Sequence, residues 1–200
     1  THQAGFKPWI PFHNATLTNG KPDSNYYRTQ AEPGFELQVA EGLFARNDLP
    51  DSIFLRNIQT PLQASKRYLY SDLGYYYLQR IIERYRKARL DALAEQDFFK
   101  PLGAWRAVYN PLQRFPKEEI VPTEDDMLYR GQLIHGYVHD QGASLMGGVA
   151  GHAGLFSNAN DLAKLVQMFL NQGMYGGKVY LDAEVIQEFA KCQFCANGNR

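Results

Sequence analysis

The sequence predicts a mostly α-helical fold with a few short strands. Two segments carry this prediction, because the segment that begins at Ser71-Asp72 and residues 158–173 repeat apolar side chains at helical spacing after a residue that caps helices well. Elsewhere proline and glycine interrupt the chain, and no alternation of apolar and polar residues persists long enough to predict a long strand. Long ordered loops are therefore expected between the helices.

Composition limits the possible function. The 200 residues include 21 Lys and Arg and 21 Asp and Glu, so the formal net charge is zero, which excludes the basic excess typical of nucleic-acid binders. Hydrophobic residues make up 44% of the chain, enough for a sizeable core, yet no run approaches the ~20 apolar residues that span a bilayer. No targeting signal is visible in the first residues.

The first third of the chain predicts little regular structure. Residues 1–36 are rich in proline, glycine, asparagine and aromatic side chains, which indicates an irregular but ordered stretch over a core. Residues 36–47 suit a short helix or a strand before a turn at 47–50. A short helix over 51–59 then carries Ile53, Leu55 and Ile58.

The clearest helix begins at Ser71 and Asp72. Ser71 is a good N-cap, and Asp72 places negative charge in the first turn, where the helix dipole favours it. The apolar positions at helical spacing are Leu73, Tyr76, Tyr77, Ile81 and Tyr85. A second helix is expected over 90–99, and it ends before the Lys-Pro-Leu-Gly turn at 100–103.

The last part of the chain predicts two more helices. Residues 103–126 are a proline-punctuated loop, and 127–140 holds a short strand. One helix has Ser157 or Asn158 as its cap and Gly173 as its stop. Its apolar stripe is Leu162, Leu165, Val166, Phe169 and Leu170. A final helix near 182–191 turns Val185, Ile186 and Phe189 inward.

A glycine-rich segment and a cysteine pair are weak indications of function. The glycines between Gly147 and Gly154 fit neither a dinucleotide fingerprint nor a P-loop, so they suit tight turns beside a groove. Cys192 and Cys195 form one C-x-x-C, which is compatible with a redox couple, half a zinc site or two plain thiols. The absence of a second such pair and of a strand before it favours plain thiols.

A metal-dependent hydrolase is one alternative. His135 and His139 lie four residues apart, and Asp140 and His152 complete a possible ligand set. The pattern lacks the glutamate that follows the first histidine in zincins, so structural histidines are the simpler interpretation.

The tripeptide Tyr70-Ser71-Asp72 is the leading candidate for chemistry. A tyrosine just before a helix places its phenol beside free backbone N–H groups. A nearby lysine would lower the phenol pKa from its usual ~10, so that it can move protons. Since the chain has 13 tyrosines, a packed Tyr70 before a capping Ser71 is the simpler alternative.

Several motifs occur together in the order found in a known enzyme superfamily. They are T-H-x-A-G at 1–5, Y-S-D at 70–72, K-P-L-G at 100–103, V-H-D at 138–140, and GGVAGHAGLFS at 147–157 followed by N-D-L-A at 160–163. This order resembles the serine β-lactamase and penicillin-binding-protein superfamily, in its class C-like and esterase-like branch. It is especially similar to the β-lactamase-like modules fused to family-3 β-N-acetylglucosaminidases. The resemblance implies that residues 1–200 form one partial domain, the helical subdomain of the α+β β-lactamase/transpeptidase-like fold.

The resemblance implies roles for five residues. Tyr70 would be the catalytic phenol, and Asp72 would help to position the substrate and the lysine of the family. Ser71, Gly151 and His152 would line the substrate groove or support it. No cofactor is implied.

Two motifs of the superfamily are absent from the chain. No serine has a lysine three residues later, since Ser65 is followed directly by Lys66, and the third motif, K/H-S/T-G, does not follow. The chain is therefore expected to be the middle of a larger serine hydrolase and inactive alone. Its substrate would be a small molecule or derived from peptidoglycan, with no nucleic acid as a partner. The rest of the parent polypeptide, such as a family-3 glycosidase domain, would be a partner, and the location a bacterial envelope or periplasm. A non-catalytic peptidoglycan- or protein-binding module on the same fold is the second alternative.

Overall fold

A computed structural model describes residues 2–64 and 68–193. The chain divides into two compact units. Unit one consists of Thr1–Lys87 and Tyr109–Leu155, and unit two of Ala88–Val108 and Phe156–Arg200. Residues 88–108 of unit two therefore interrupt unit one, which resumes at residue 109.

The described residues contain both helices and short strands. The helices are α1 (Leu49–Ile58), α2 (Leu73–Arg86), α3 (Leu90–Ala94), α4 (Gln141–Leu145), α5 (Ala159–Leu170) and α6 (Ala183–Ala190). The strands are β1 (Leu17–Thr18), β2 (Lys21–Pro22), β3 (Tyr27–Arg28), β4 (Leu37–Ala40), β5 (Leu43–Ala45), β6 (Val108–Tyr109), β7 (Pro122–Asp126), β8 (Gln132–His135), β9 (Leu155–Phe156), β10 (Met174–Tyr175) and β11 (Lys178–Val179).

The fold is therefore α+β, with more strands than the sequence pattern predicts. Strands of two to five residues are too short to leave a detectable alternation of apolar and polar side chains. None of the described helices has the length and apolar character needed to cross a bilayer.

Small antiparallel sheets build the first part of unit one. The predicted irregular stretch contains a 3₁₀-helix at Phe12–Thr16 and the β1–β2 hairpin, whose turn residues Asn19 and Gly20 both have positive φ. Residues 36–47, which suited a helix or a strand, form β4 and β5, and the sheet order is β3-β5-β4. β7 and β8 form a further antiparallel pair, in the region predicted as loop and short strand.

Helices α1 and α2 pack through a few buried positions. α1 begins at Leu49, earlier than predicted, because a proline in the first turn needs no hydrogen-bond partner for its nitrogen. Ile53 is buried, whereas Leu55 and Ile58 are exposed. The buried Asn57 donates from Nδ2 to the Leu73 carbonyl at 2.9 Å, which ties α1 to the start of α2.

The core of unit one joins the small sheets to α1, α2 and α4. Its buried apolar members are Phe12, Tyr27, Val39, Ala45, Leu49, Ile53, Leu73, Tyr76, Tyr129 and Leu145. The hydroxyls of Tyr27 and Tyr129 are 2.9 Å apart, and Tyr27 also shares a 2.6 Å bond with the Thr16 hydroxyl. These buried phenols are hydrogen-bonded, so burial costs them less than it would cost isolated polar groups.

Unit two is organised around α5. The Asn158 side chain accepts the Asp161 N–H at 2.8 Å and is the N-cap, one of the two residues predicted for that role. The buried Asp161 carboxylate accepts the Arg106 N–H at 2.6 Å and lies 2.9 Å from the Lys164 ammonium. α3 continues into a π-helical turn at Glu95–Phe99, so the helix predicted over 90–99 is present but changes its hydrogen-bonding pattern.

The predicted apolar stripes of α5 and α6 do not form a closed core in the described part of unit two. Phe169 is 49% exposed and Phe189 86% exposed, and Val185 is also exposed, so the inward orientation predicted for Val185 and Phe189 is wrong. Ile186 is buried as predicted. An open apolar groove of about 710 Å³ separates the helices, and its apolar lining includes Val166, Phe169, Leu170, Leu181, Val185 and Phe189.

Candidate active site

Ser71 is a buried structural residue at the start of α2. Its hydroxyl donates to the Lys7 carbonyl at 2.6 Å and accepts the Leu73 N–H at 3.2 Å. It is 3% exposed, so this hydroxyl caps the helix and is closed to a substrate. Asp72 makes no side-chain bond to the end of the helix, and its carboxylate interacts with the Tyr70 phenol.

Tyr70 is an exposed phenol three residues before the start of α2. Its side chain is 60% exposed, and its ring stacks on the imidazole of His2 with centroids 4.5 Å apart. The charge of Asp72, more than burial, raises the pKa of the Tyr70 phenol. Among the described residues the charge that dominates the phenol is a carboxylate, so the lowering of its pKa by a lysine stays a prediction.

Two tyrosines near the start of α2 differ in exposure to solvent. Tyr76 lies in the core, and burial strongly raises the pKa of its phenol, so it stays protonated. Tyr70, three residues before the first residue of the helix, has access to solvent. Of these two phenols, Tyr70 is the one that a substrate can reach.

The glycine-rich segment predicted beside a groove is attached to α2 by Gln79. This buried side chain donates from Nε2 to the Val149 carbonyl at 3.1 Å and accepts the Gly151 N–H through Oε1 at 3.1 Å. A Cβ at Gly151 would lie 2.9 Å from the Tyr75 carbonyl oxygen, so only glycine permits this approach. The sequence analysis did not single out Gln79. Its position three residues after Tyr76 places it on the same face of α2 as that buried side chain, and this spacing could have indicated its burial.

His152 forms a buried pair with Asp140. Its Nε2–H donates to Asp140 Oδ1 at 3.1 Å, and its ring packs on Tyr76 with centroids 4.7 Å apart. Asp140 also accepts the Ala143 N–H at 2.6 Å and so caps α4. His152 Nδ1 is buried and has no hydrogen-bond partner in the described part of the chain. This geometry suits a supporting role beneath the glycine segment.

The metal site considered from the sequence is not formed. His135 lies on β8 with Nε2 2.5 Å from the Ile120 carbonyl, while His152 is paired with Asp140 and His139 is exposed. Across residues 2–64 and 68–193, no three His, Cys, Asp or Glu side chains gather as a metal would need. The alternative built on His135, His139 and His152 is therefore wrong, because separate backbone and carboxylate partners hold the histidines apart.

Some predicted features fall outside the described residues. These are Thr1 of the first motif, Ser65 and Lys66, and Cys195. Cys192 is disulfide-bonded, so the prediction of a plain thiol at that position is wrong.

Comparison with known proteins identifies the family. The Beta-lactamase family model matches residues 1–191, so the chain belongs to the β-lactamase family. A protein of Escherichia coli K12 named "Putative D-alanyl-D-alanine carboxypeptidase" is 35% identical over 173 residues, which cover 80% of the chain and 40% of that protein. A protein of the same name from Salmonella paratyphi B is 35% identical over 165 residues, covering 76% of the chain and 38% of its own length.

Solved structures show the same fold. A "putative beta-lactamase" from Bacteroides dorei superposes with a TM-score of 0.53 at 16% identity. The superposition covers 93% of this chain and 39% of the length of that protein's chain. The D-amino acid amidase of Ochrobactrum anthropi SV3, complexed with L-phenylalanine, gives a TM-score of 0.52 at 15% identity, with 94% and 46% covered. The superfamily resemblance is thus confirmed, and the chain spans about 40% of the length of the curated relatives it matches.

Proposed function

We propose that the chain contributes Tyr70 to the active site of a serine hydrolase of the β-lactamase, DD-peptidase and esterase type. The enzyme forms an acyl-enzyme on a β-lactam, a peptidoglycan peptide, or a small ester or amide. The observation that carries this proposal is the exposed phenol of Tyr70 at the start of α2, in a chain of the β-lactamase family.

In this proposal the Tyr70 phenol relays a proton between the nucleophile and the leaving group. The raised pKa keeps the phenol protonated at neutral pH, so it is ready to donate and needs a cation nearby to act as a base. Asp72 lies two residues away and orients the substrate or that cation. Gly151 and His152 support the groove wall through their contacts with α2 and Asp140.

The nucleophile is proposed to lie on polypeptide outside residues 1–200. No serine of the chain has the S-x-x-K spacing, and the Ser71 hydroxyl is buried and engaged. The isolated chain is therefore expected to hydrolyse no β-lactam. Turnover of a chromogenic cephalosporin by this chain, abolished by Tyr70→Phe, would contradict that expectation.

The test uses the natural polypeptide that carries these residues. Treatment with a fluorescent penicillin should give a covalent adduct detectable by intact mass, and Tyr70→Phe should slow acylation about 100-fold or more. Tyr68→Phe is the matched control, because Tyr68 is also exposed and two residues away, and it should acylate at the normal rate. A normal rate in Tyr70→Phe, or no adduct at all, would overturn the proposal.

The same experiment separates the enzyme from a binding module. Reversible binding of a peptidoglycan peptide without any adduct would favour a non-catalytic module on the same fold. The names of the curated relatives support a peptidoglycan peptide as substrate and a bacterial envelope or periplasm as the location. A glycosidase domain in the parent polypeptide stays a prediction.

A further inference from the structure

The strongest unassigned contact in unit one joins the beginning of the chain to the residues around Tyr70. The His2 carbonyl accepts the Leu69 N–H at 2.8 Å, and the His2 Nδ1 accepts the Ser71 N–H at 3.1 Å. Between these two bonds, the imidazole stacks on the Tyr70 ring with an interplanar angle of 25°. One residue therefore holds three consecutive residues that lie 67 to 69 positions later in the chain.

Neighbouring contacts extend this attachment. Ser71 donates its hydroxyl to the Lys7 carbonyl, and Gln63 donates its N–H to the Gly5 carbonyl at 2.7 Å. The rings of Tyr68 and Tyr75 also lie near the imidazole, with centroids 5.9 Å and 6.1 Å away. Residues 2–7 thus run beside the residues that precede α2. The His2 imidazole contacts the rings of three tyrosines, Tyr68, Tyr70 and Tyr75.

This geometry matters because the Tyr70 side chain is mostly exposed and, besides His2, interacts chiefly with the Asp72 carboxylate. Its side chain is 60% exposed, and a tyrosine at that exposure can rotate about χ1 and χ2 unless a neighbour restrains it. The flat contact with His2 restrains the ring, while the two backbone bonds restrain the peptide units on either side. We infer that His2 is a positioning residue for the Tyr70 phenol, acting through its carbonyl, its ring face and its Nδ1.

The inference depends on a specific protonation pattern. Nδ1 accepts a backbone N–H, so it carries no proton while this bond exists, and the remaining proton of the neutral ring is on Nε2. The inference rests on the proposed function only for its consequence in catalysis. The contacts themselves can be tested without any activity.

Two substitutions separate the ring from the acceptor. His2→Phe keeps an aromatic face for Tyr70 but removes the acceptor of the Ser71 N–H. His2→Asn removes the ring but keeps an oxygen near the position of Nδ1. His139→Phe is the control, because His139 is exposed and has no ring contact with Tyr70 among the described residues.

The first measurement is amide hydrogen exchange of the 200-residue chain by NMR. Exchange at the Ser71 amide should be at least tenfold faster in His2→Phe and close to normal in His2→Asn and His139→Phe. The Tyr70 ring protons should lose their upfield ring-current shift in His2→Asn alone. An unchanged Ser71 exchange rate in His2→Phe, or an unchanged Tyr70 shift in His2→Asn, would overturn the inference.

The second measurement is acylation of the natural polypeptide by a fluorescent penicillin. Each of the two substitutions should lower the maximal acylation rate about tenfold and leave the half-saturating penicillin concentration nearly unchanged, since His2 orients Tyr70 and does not contact the substrate. Normal acylation despite the expected NMR changes would overturn the positioning role. Normal acylation in Tyr70→Phe, in contrast, would overturn the proposed function and leave the NMR result standing.

Discussion

Arg130 shows how a single residue stabilises the β7–β8 region of unit one. Its guanidinium is fully buried, pairs with Asp126 at 2.6 Å, and donates to the carbonyls of Val138 and His139 at 2.7 Å and 2.6 Å. Asp126 in turn accepts the Tyr129 N–H at 2.9 Å. Nothing in the local sequence marks Arg130 as buried, because its partners are placed by the hairpin and the loop that follows.

Removal of the Asp126 charge should destabilise the protein strongly. Asp126→Asn leaves the buried guanidinium without its closest counter-charge, so the free energy of unfolding should fall by about 3 kcal/mol. Urea denaturation followed by circular dichroism measures the change. Asp125→Asn, on an exposed neighbour in the same strand, should change it by less than about 0.5 kcal/mol. Equal losses in the two variants would contradict this account of the pair.

Asp140 predicts a pH dependence of stability. Burial opposes its ionisation, but hydrogen bonds from His152 and the Ala143 N–H outweigh burial and hold the pKa of Asp140 below its ordinary range. The folded protein therefore favours the carboxylate. Its stabilisation is complete above the unfolded pKa of ~3.9 and is lost as the pH falls through the lower folded value.

The Asp140→Asn variant tests this dependence. It should lower the free energy of unfolding by about 1 to 2 kcal/mol at pH 7, and the difference from the wild type should shrink below pH ~4. Urea titrations at pH 7, 5 and 3.5 measure this, with Asp125→Asn as the control of constant, small effect. A difference that stays the same at all three pH values would show that ionisation of Asp140 does not contribute.

At the scale of elements, α2 and α6 show what periodicity predicts. The apolar spacing predicted both helices, and the observed limits differ from the predictions by one or two residues at the starts. It did not predict which apolar residues are buried. Ile81 and Tyr85 of α2 and Phe189 of α6 are exposed, because the face that packs depends on which neighbours lie beside the helix.

A pair of substitutions in α6 tests this distinction. Ile186→Ala should lower the free energy of unfolding by about 2 kcal/mol, because Ile186 is buried. Phe189→Ala should change it by less than about 0.5 kcal/mol, although it removes a larger side chain, because Phe189 is 86% exposed. Thermal and urea unfolding of the 200-residue chain measure both. A loss in Phe189→Ala as large as in Ile186→Ala would mean that Phe189 is covered in solution.

At the scale of the whole molecule, zero net charge and an open apolar groove should both lower the solubility. The formal charge is zero at pH 7, and protonation makes the net charge positive as the pH falls. The groove between α5 and α6 exposes a contiguous apolar surface of the kind that promotes association. Without net charge there is little electrostatic repulsion to oppose it.

Solubility of the 200-residue chain should therefore be lowest near pH 7 and several times higher at pH 5.5. Precipitation by polyethylene glycol at pH 5.5, 7 and 8.5 measures the solubility. Phe189→Glu should raise the solubility at pH 7, because it adds charge inside the groove. A minimum away from neutral pH, or no change in Phe189→Glu, would contradict the combined effect of charge and groove.

The sequence by itself determined the neutral charge, the positions of the main helices and the motif order that resembles the β-lactamase superfamily, because these depend on residues close together in the chain. The tertiary structure decided that Tyr70 is exposed while Tyr76 is buried, that His2 stacks on Tyr70, and that His152 pairs with Asp140. It also decided that no other described residue closes the groove between the apolar faces of α5 and α6. The physical reason is that burial and contacts across tens of residues depend on which surfaces meet, and a local pattern along the chain does not record that.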